Sequence, residues 1–123
     1  MSFWIIALAA ALGAVCRYTL DFHLRARTGG ALPWGTFAAN ISGSLGLGLL
    51  AGGVLFHAVP LEWRVVLGTG FLGAYTTFST WMMETVWLLQ RGERMAAVVY
   101  LLGSWVAGTA AAVLGMGLAF IVP

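Results

Sequence analysis

Long apolar stretches alternate with short polar segments along the whole chain. The apolar stretches cover about residues 3–22, 34–56, 63–90 and 95–122, and the segments between them contain Arg, Gly and Pro. A bilayer core about 30 Å thick needs about 20 apolar residues per helix. The pattern therefore predicts an all-α membrane protein, in which residues 1–123 form a single domain of four transmembrane helices.

The composition excludes two broad classes of protein. Hydrophobic residues make up 61% of the 123 residues and charged residues 8%, against about 45–50% and about 25% in soluble domains. A soluble domain of this length has too little interior for that much apolar surface, which excludes a soluble enzyme. The six cationic residues are all Arg and form no basic stripe, so no nucleic-acid partner is expected.

The distribution of arginines predicts an orientation. Arg25 and Arg27 in the first connecting segment, and Arg91 and Arg94 in the third, lie on one side of the predicted membrane, whereas Arg64 lies on the other. Cytoplasmic loops carry an excess of Arg and Lys. By this rule alone, both termini face outward.

The third apolar stretch is too long for one straight helix, since about 28 residues at 1.5 Å each reach about 42 Å. Its middle contains three glycines followed by four hydroxyl side chains. We therefore predict a break near residues 73–77. Irregular backbone at membrane depth is tolerated only where protein buries it or water reaches it, and such breaks often bind ions.

Polar residues inside the spans are candidates for function. Thr36, Asn40 and Ser44 share one helix face; Thr36 and Asn40 are expected to line a path together, whereas Ser44 is expected to bond a neighbouring helix. Arg17 has two open interpretations, snorkelling to the headgroups or concentrating an anion. Glu84 follows Trp81 by three residues and is expected to bond a hydroxyl or to lie at the end of a path.

Small residues recur at four-residue spacing on the second and fourth stretches. Such stripes let helices approach closely, and they predict tight packing within the subunit and in an oligomer. The stripes are Gly35, Ala39 and Gly43; Ser44, Gly48 and Gly52; and Gly103, Ala107, Ala111 and Gly115.

Four motifs are spread over nearly the whole chain: Gly-Ala-Val-Cys-Arg-Tyr at 13–18, Trp-Gly-Thr-Phe-Ala-Ala-Asn at 34–40, the glycine- and hydroxyl-rich run at 68–81, and Gly-Ser at 103–104. Together they resemble the motifs of the CrcB/Fluc family of fluoride channels. The resemblance implies passive fluoride export across a bacterial inner membrane, which gives fluoride resistance. It also implies an antiparallel, dual-topology homodimer with two pathways, and a structural sodium ion held by backbone carbonyls of Gly73 and Thr76.

The resemblance also assigns residues to the fluoride pathway. Arg17 matches the arginine of the aqueous approach, and Glu84 the acid one turn after an aromatic pair. Two positions depart from the family pattern: Trp81 replaces Phe, where we expect the ring edge to matter more than the indole N–H, and Gly108 replaces a hydroxyl. The remaining pathway residues implied are Thr36, Asn40, Phe78, Ser79 or Thr80, Tyr100 and Ser104.

The chemistry of these residues suits fluoride, which is small and strongly hydrated. A pore must replace its water with donors, and amide, hydroxyl and indole groups supply N–H and O–H donors, while aromatic edges are positive. Two alternatives remain. A proton-coupled exporter of the small multidrug type needs a carboxylate within its first helix, where Asp21 stands only at the end. A non-transporting assembly protein does not account for the hydroxyl-rich third stretch.

Overall fold

A computed structural model describes residues 2–123 and shows an all-helical chain. Met1, which the sequence includes in the predicted single domain, lies outside the described residues. The elements are α1 (Phe3–Thr28), α2 (Trp34–His57), α3 (Leu61–Trp63), a π-helix (Arg64–Leu72), α4 (Gly73–Tyr75), α5 (Ser79–Gln90) and α6 (Arg94–Ile121). Among them α1, α2 and α6 are each long and apolar enough to cross a membrane.

Helix α1 continues past residue 22, where the apolar stretch ends. The side chain of Ser2 caps its first turn by accepting a hydrogen bond from the Trp4 amide at 3.4 Å. Gly29, at φ +75°, ends the helix in the left-handed conformation that glycine adopts readily. Arg25 and Arg27, expected in a connecting segment, therefore lie in the last turns of α1, where cations interact favourably with the helix dipole.

Residues 61–90 are helical except for a short interruption. Helices α3 and α4 flank the π-helix without a gap, and the sequence pattern did not predict this wider winding. At Thr76 the backbone becomes extended, with φ −89° and ψ 160°, and regular helix resumes at Ser79. Thr76 closes the end of α4, because its amide and its hydroxyl both donate to the Leu72 carbonyl, at 3.0 and 2.9 Å.

Helices α2 and α6 form the most extensive contact between elements. A Cβ added to Gly48 would collide with the Ala112 carbonyl, and one added to Gly115 would collide with the Leu45 carbonyl. This confirms the predicted close packing for these two members of the small-residue stripes. Gly103 has open space in place of such a contact.

Helices α5 and α6 meet at one end of the bundle around a small buried cluster. Leu88, Ala97 and Tyr100 form its centre, and Phe37 and Trp81 pack against it. Most other large apolar side chains are exposed on the single chain; Phe3, Ile121 and Phe78 are 71%, 75% and 69% exposed. The interior therefore consists mainly of small residues and polar groups, while the surface is apolar.

Candidate functional site

The side chain of Asn40 binds the backbone where the chain leaves the helical conformation. Its Nδ2 donates to the Thr77 carbonyl, and its Oδ1 accepts from the Thr77 amide, both at 2.8 Å. One N–H suffices for the first bond, and an amide group carries two. Asn40 thus satisfies irregular backbone inside the bundle and retains a donor.

The interruption deprives the carbonyl groups of Gly73 and Thr76 of their usual helical donors. In a continuous α-helix the amide of Thr77 would bond to Gly73, and the amide of Thr80 to Thr76. Here the Thr77 amide is bonded to Asn40, and the Thr80 amide donates to the Thr77 hydroxyl at 3.2 Å. Gly73 is exposed, and a Cβ there would meet only the Gly68 carbonyl at an ordinary 3.5 Å.

A cavity of about 450 Å³ lies beside this interruption. We call it the asparagine cavity. It is open on one side of the single chain, and residues of α2, the interruption, α5 and α6 all contribute to its wall. Its lining comprises Asn40, Ser44, Leu47, Thr76, Thr77, Phe78, Trp81, Ser104, Trp105, Gly108, Thr109 and Ala112.

Two hydrogen-bond donors beside the asparagine cavity have no partner. Among residues 2–123, the indole Nε1 of Trp81 and the hydroxyl of Ser104 are buried atoms without a hydrogen bond. Buried polar groups are paired in the great majority of cases, so two unpaired donors on residues that line one cavity are unusual. The ring of Trp81 packs edge-to-face on Phe78, with centroids 5.6 Å apart and planes at 90°.

The hydroxyls at the start of α5 bond mainly to one another. The Thr77 hydroxyl donates to the Thr80 hydroxyl at 3.1 Å and lies 3.5 Å from that of Ser79. Neither Ser79 nor Thr80 contributes to the described wall of the asparagine cavity, whereas Thr77 does. Sequence reasoning did not single out Thr77, whose place in the hydroxyl-rich run was the available signal.

Glu84 is buried and bonded on both oxygens. The Thr36 hydroxyl donates to Oε1 at 2.7 Å and the Tyr100 hydroxyl donates to Oε2 at 3.0 Å. This confirms the expectation that Glu84 bonds a hydroxyl. Thr36 therefore belongs to the Glu84 group rather than to the wall that Asn40 lines. Tyr100 stands one turn before Ser104 on α6, and Ser104 lines the asparagine cavity.

A second, smaller cavity of about 100 Å³, which Glu84 helps to line, lies at the end of the bundle where α1 ends and α2 begins. We call it the arginine cavity, because Arg25 and Arg91 both line it together with Trp87 and residues 30–33. The Nη2 of Arg25 lies 3.7 Å from Glu84 Oε1. Sequence reasoning treated Arg25 only as a loop charge, although the Asp21–Arg25 spacing of four residues was a signal of a helical ion pair.

Arg17 is half-buried on α1. It contributes to neither the asparagine cavity nor the arginine cavity as the described residues form them. The structure thus brings Asn40, Trp81 and Ser104 together on the wall of the asparagine cavity and joins Glu84, Thr36 and Tyr100 in a second, hydrogen-bonded group, whereas Arg17 belongs to neither.

Comparison with known proteins shows the family. The family model described as "CrcB-like protein, Camphor Resistance (CrcB)" matches residues 4–116. The chain is similar to fluoride-specific ion channel FluC 1 of Symbiobacterium thermophilum, with 49% identity over 96% of this chain and 97% of the relative. It is 46% identical to FluC 1 of Leifsonia xyli subsp. xyli, over 92% and 82%, and 40% identical to FluC 2 of Mycobacterium tuberculosis, over 98% and 94%.

Proposed function

The chain belongs to the CrcB family, and from that premise we propose that it is a fluoride-selective ion channel. In this proposal fluoride leaves the cytoplasm passively across the cell inner membrane, which makes the cell resistant to fluoride. The similar relatives are named fluoride-specific ion channels, at 40–49% identity over most of their length.

One observation carries the proposal: polar groups lie at and between two cavities of an apolar helical chain. Glu84 lines the arginine cavity and accepts from the Tyr100 hydroxyl, and Ser104, one turn further along α6, lines the asparagine cavity with Asn40 and Trp81. Fluoride gives up hydration only where other donors replace it. The unbonded N–H of Trp81 and O–H of Ser104 supply such donors without breaking an existing bond.

Each residue of the proposed pathway has a role in this scheme. Phe78 and Trp81 present ring edges, which are positive, and Trp81 adds its indole N–H. Thr36 holds Glu84, Ser79 and Thr80 supply hydroxyls on the approach from α5, and Arg17 raises the anion concentration in the aqueous approach. No side chain in this scheme couples flow to another gradient, so transport is passive.

The architecture proposed is an antiparallel, dual-topology homodimer whose subunits each have four spans. Helices α1, α2 and α6 form three spans, and residues 61–90 form the fourth, broken span. Two observations support a second copy: the asparagine cavity is open on one side, and Phe78, which contributes to its wall, is 69% exposed on the single chain. Lipid covers the remaining apolar surface.

A structural sodium ion at the dimer centre is part of the proposal. It is held by the carbonyl oxygens of Gly73 and Thr76 from both subunits. The support is the hydrogen bonding described above, in which Asn40 and the Thr77 hydroxyl take the amides that would otherwise bond to these carbonyls. Freed carbonyls at a helix break replace the hydration of a cation.

The two alternatives gain no support from the described residues. Asp21, the acid that a proton-coupled exporter would use on α1, is bonded to Arg25 at 2.9 Å near the end of the helix. In an assembly protein whose helices only pack together, the buried donors of Trp81 and Ser104 would be expected to have partners.

Efflux from liposomes tests the proposed function. Liposomes containing the purified protein are loaded with potassium fluoride, and valinomycin is added to let potassium follow the anion. A fluoride electrode should then record rapid efflux with no proton gradient, and none from protein-free liposomes. Export of a cation driven by a pH gradient would favour the exporter, and the absence of transport in both assays would favour the assembly protein.

A further inference from the structure

The buried carboxylate of Glu84 is an electrostatic obstacle to any anion that passes it. The side chain is 4% exposed, and the hydroxyls of Thr36 and Tyr100 bond its two oxygens. Neutral donors stabilise a carboxylate but do not remove its charge. Because the charge lies in a poorly screened interior, its repulsion of fluoride is stronger there than in water.

Arg25 supplies an opposite charge at this point. In the described part of the chain it is the one cation within ion-pair distance of Glu84, at 3.7 Å from Nη2 to Oε1. Arg91 lines the same arginine cavity, but its Nη2 is directed to the Ala31 carbonyl and the Glu93 carboxylate, each at 3.3 Å. The side chain of Arg25 is 49% exposed, so it joins the buried carboxylate to the aqueous end of the bundle.

A second carboxylate competes for the same guanidinium. Asp21 Oδ2 accepts from Arg25 Nε at 2.9 Å, which is shorter than the contact between Arg25 and Glu84. The approach of α1 that places Asp21 here depends on Gly35, since a Cβ at that position would collide with the Asp21 side chain. The guanidinium is therefore shared: Nε is bonded to Asp21, and Nη2 points to Glu84.

We infer that Arg25 is a positioning residue that compensates the charge of Glu84 and thereby sets how easily fluoride passes this carboxylate, with Asp21 restraining it. This inference rests on the proposed channel function. It assigns a role to Arg25 and Asp21, which the pathway described above does not include. Charges that line a cleft change local ion concentrations and rates by roughly 10- to 1,000-fold, so one charge this close to the path is expected to have a measurable effect.

The test compares fluoride efflux from liposomes for three variants. Arg25→Gln should slow efflux by about tenfold, at the lower end of the range for such charges. Arg27→Gln is the matched control, because Arg27 is an exposed arginine on the same last turns of α1 and lines neither cavity; its efflux should stay close to wild type. Asp21→Asn should equal or exceed wild type, because it releases Arg25 toward Glu84.

The directions in which efflux changes in Arg25→Gln and Asp21→Asn distinguish a role in charge compensation from a merely structural role. Both Arg25→Gln and Asp21→Asn break the Asp21–Arg25 ion pair, so a structural pair predicts that both variants slow efflux. That result, or equal rates for Arg25→Gln and Arg27→Gln, would overturn the inference. If Arg25→Gln does not yield folded protein, the direction of the change in efflux of Asp21→Asn still distinguishes the two roles. Arg25→Lys keeps the charge and should recover most of the lost rate.

Failure of the inference is distinguishable from failure of the proposed function. If wild-type liposomes release no fluoride, the channel proposal is wrong. If wild type conducts and Arg25→Gln conducts equally well, the channel proposal stands and the role of Arg25 is wrong. Repeating the series at low and high ionic strength adds a readout, because salt screens the half-exposed charge of Arg25 and should therefore shrink the difference between wild type and Arg25→Gln.

Discussion

The side-chain amide of Asn40 bonds both backbone groups of Thr77, donating to its carbonyl and accepting from its amide at 2.8 Å each. This pair joins α2 to the interruption between α4 and α5. It also withdraws the Thr77 amide from Gly73, whose carbonyl is one of the proposed sodium ligands. Asn40 thereby connects two parts of the proposal, the fluoride path and the sodium site.

Replacing Asn40 with aspartate should abolish fluoride flux. An ionised aspartate has no N–H to donate to the Thr77 carbonyl, so a carboxylate oxygen would face the carbonyl oxygen and repel it. It also adds a negative charge to the path. An unpaired buried carbonyl costs about 1–3 kcal/mol, so the thermal stability of the purified protein should fall as well. Fluoride efflux from liposomes and a thermal unfolding curve measure the two effects; normal efflux through Asn40→Asp would remove Asn40 from the pathway.

The unbonded indole N–H of Trp81 changes the expectation drawn from the sequence. The sequence comparison with the family favours the ring edge alone, and a role for the edge alone predicts normal conduction by Trp81→Phe. Since the N–H is buried and has no partner in residues 2–123, we now expect Trp81→Phe to slow efflux by about fivefold, which corresponds to one hydrogen bond of about 1 kcal/mol. Trp81→Ile lacks both the edge and the donor and should not conduct. A conducting Trp81→Ile channel would show that Trp81 only packs.

Gly73→Val tests the position of the sodium ion. Within one subunit a Cβ at Gly73 makes only an ordinary contact, so the variant should fold, whereas the valine would crowd the proposed dimer axis. We expect loss of dimer on size-exclusion chromatography and loss of flux. Gly117→Val is the control, because Gly117 also has open space around it; it should keep both. A dimeric, conducting Gly73→Val protein would place the ion elsewhere.

Dual topology makes a separate prediction about the membrane. Arg25, Arg27, Arg91 and Arg94 on one side favour a single orientation, while the antiparallel dimer requires both. Close packing along glycine stripes can select the antiparallel pair after insertion, so we expect both orientations. Reporters fused to the C-terminus, one active inside and one outside the cell, should both give signal. Signal from one side only would contradict dual topology for this protein.

The sequence predicted those features that depend on local composition. Apolar stretches with small residues at four-residue spacing led to the all-helical membrane fold and to the packing of Gly48 and Gly115. An amide within an apolar helix identified Asn40 as a candidate. Its partner could not be read from the pattern, because the bond to Thr77 joins residues 37 positions apart.

The sequence pattern gave the wrong surroundings for residues whose environment depends on tertiary contacts. Periodicity grouped Thr36 with Asn40 on one face of α2, but a buried carboxylate from α5 takes the Thr36 hydroxyl. The apolar pattern predicts a connecting segment at Arg25, because the apolar stretch ends at residue 22, whereas α1 continues to Thr28. The π-helix is only nine residues long, and over that length its pattern of apolar residues does not differ from that of an ordinary α-helix.

Selectivity is the central claim, and a reversal potential tests it most directly. Purified protein is incorporated into a planar bilayer with sodium fluoride on one side and an equal concentration of sodium chloride on the other. A fluoride-selective channel predicts a large reversal potential of the sign that fluoride flow alone would give, and no current through Asn40→Asp. A reversal potential near zero in the wild-type protein, which either equal passage of chloride and fluoride or conduction of sodium would give, would contradict the account.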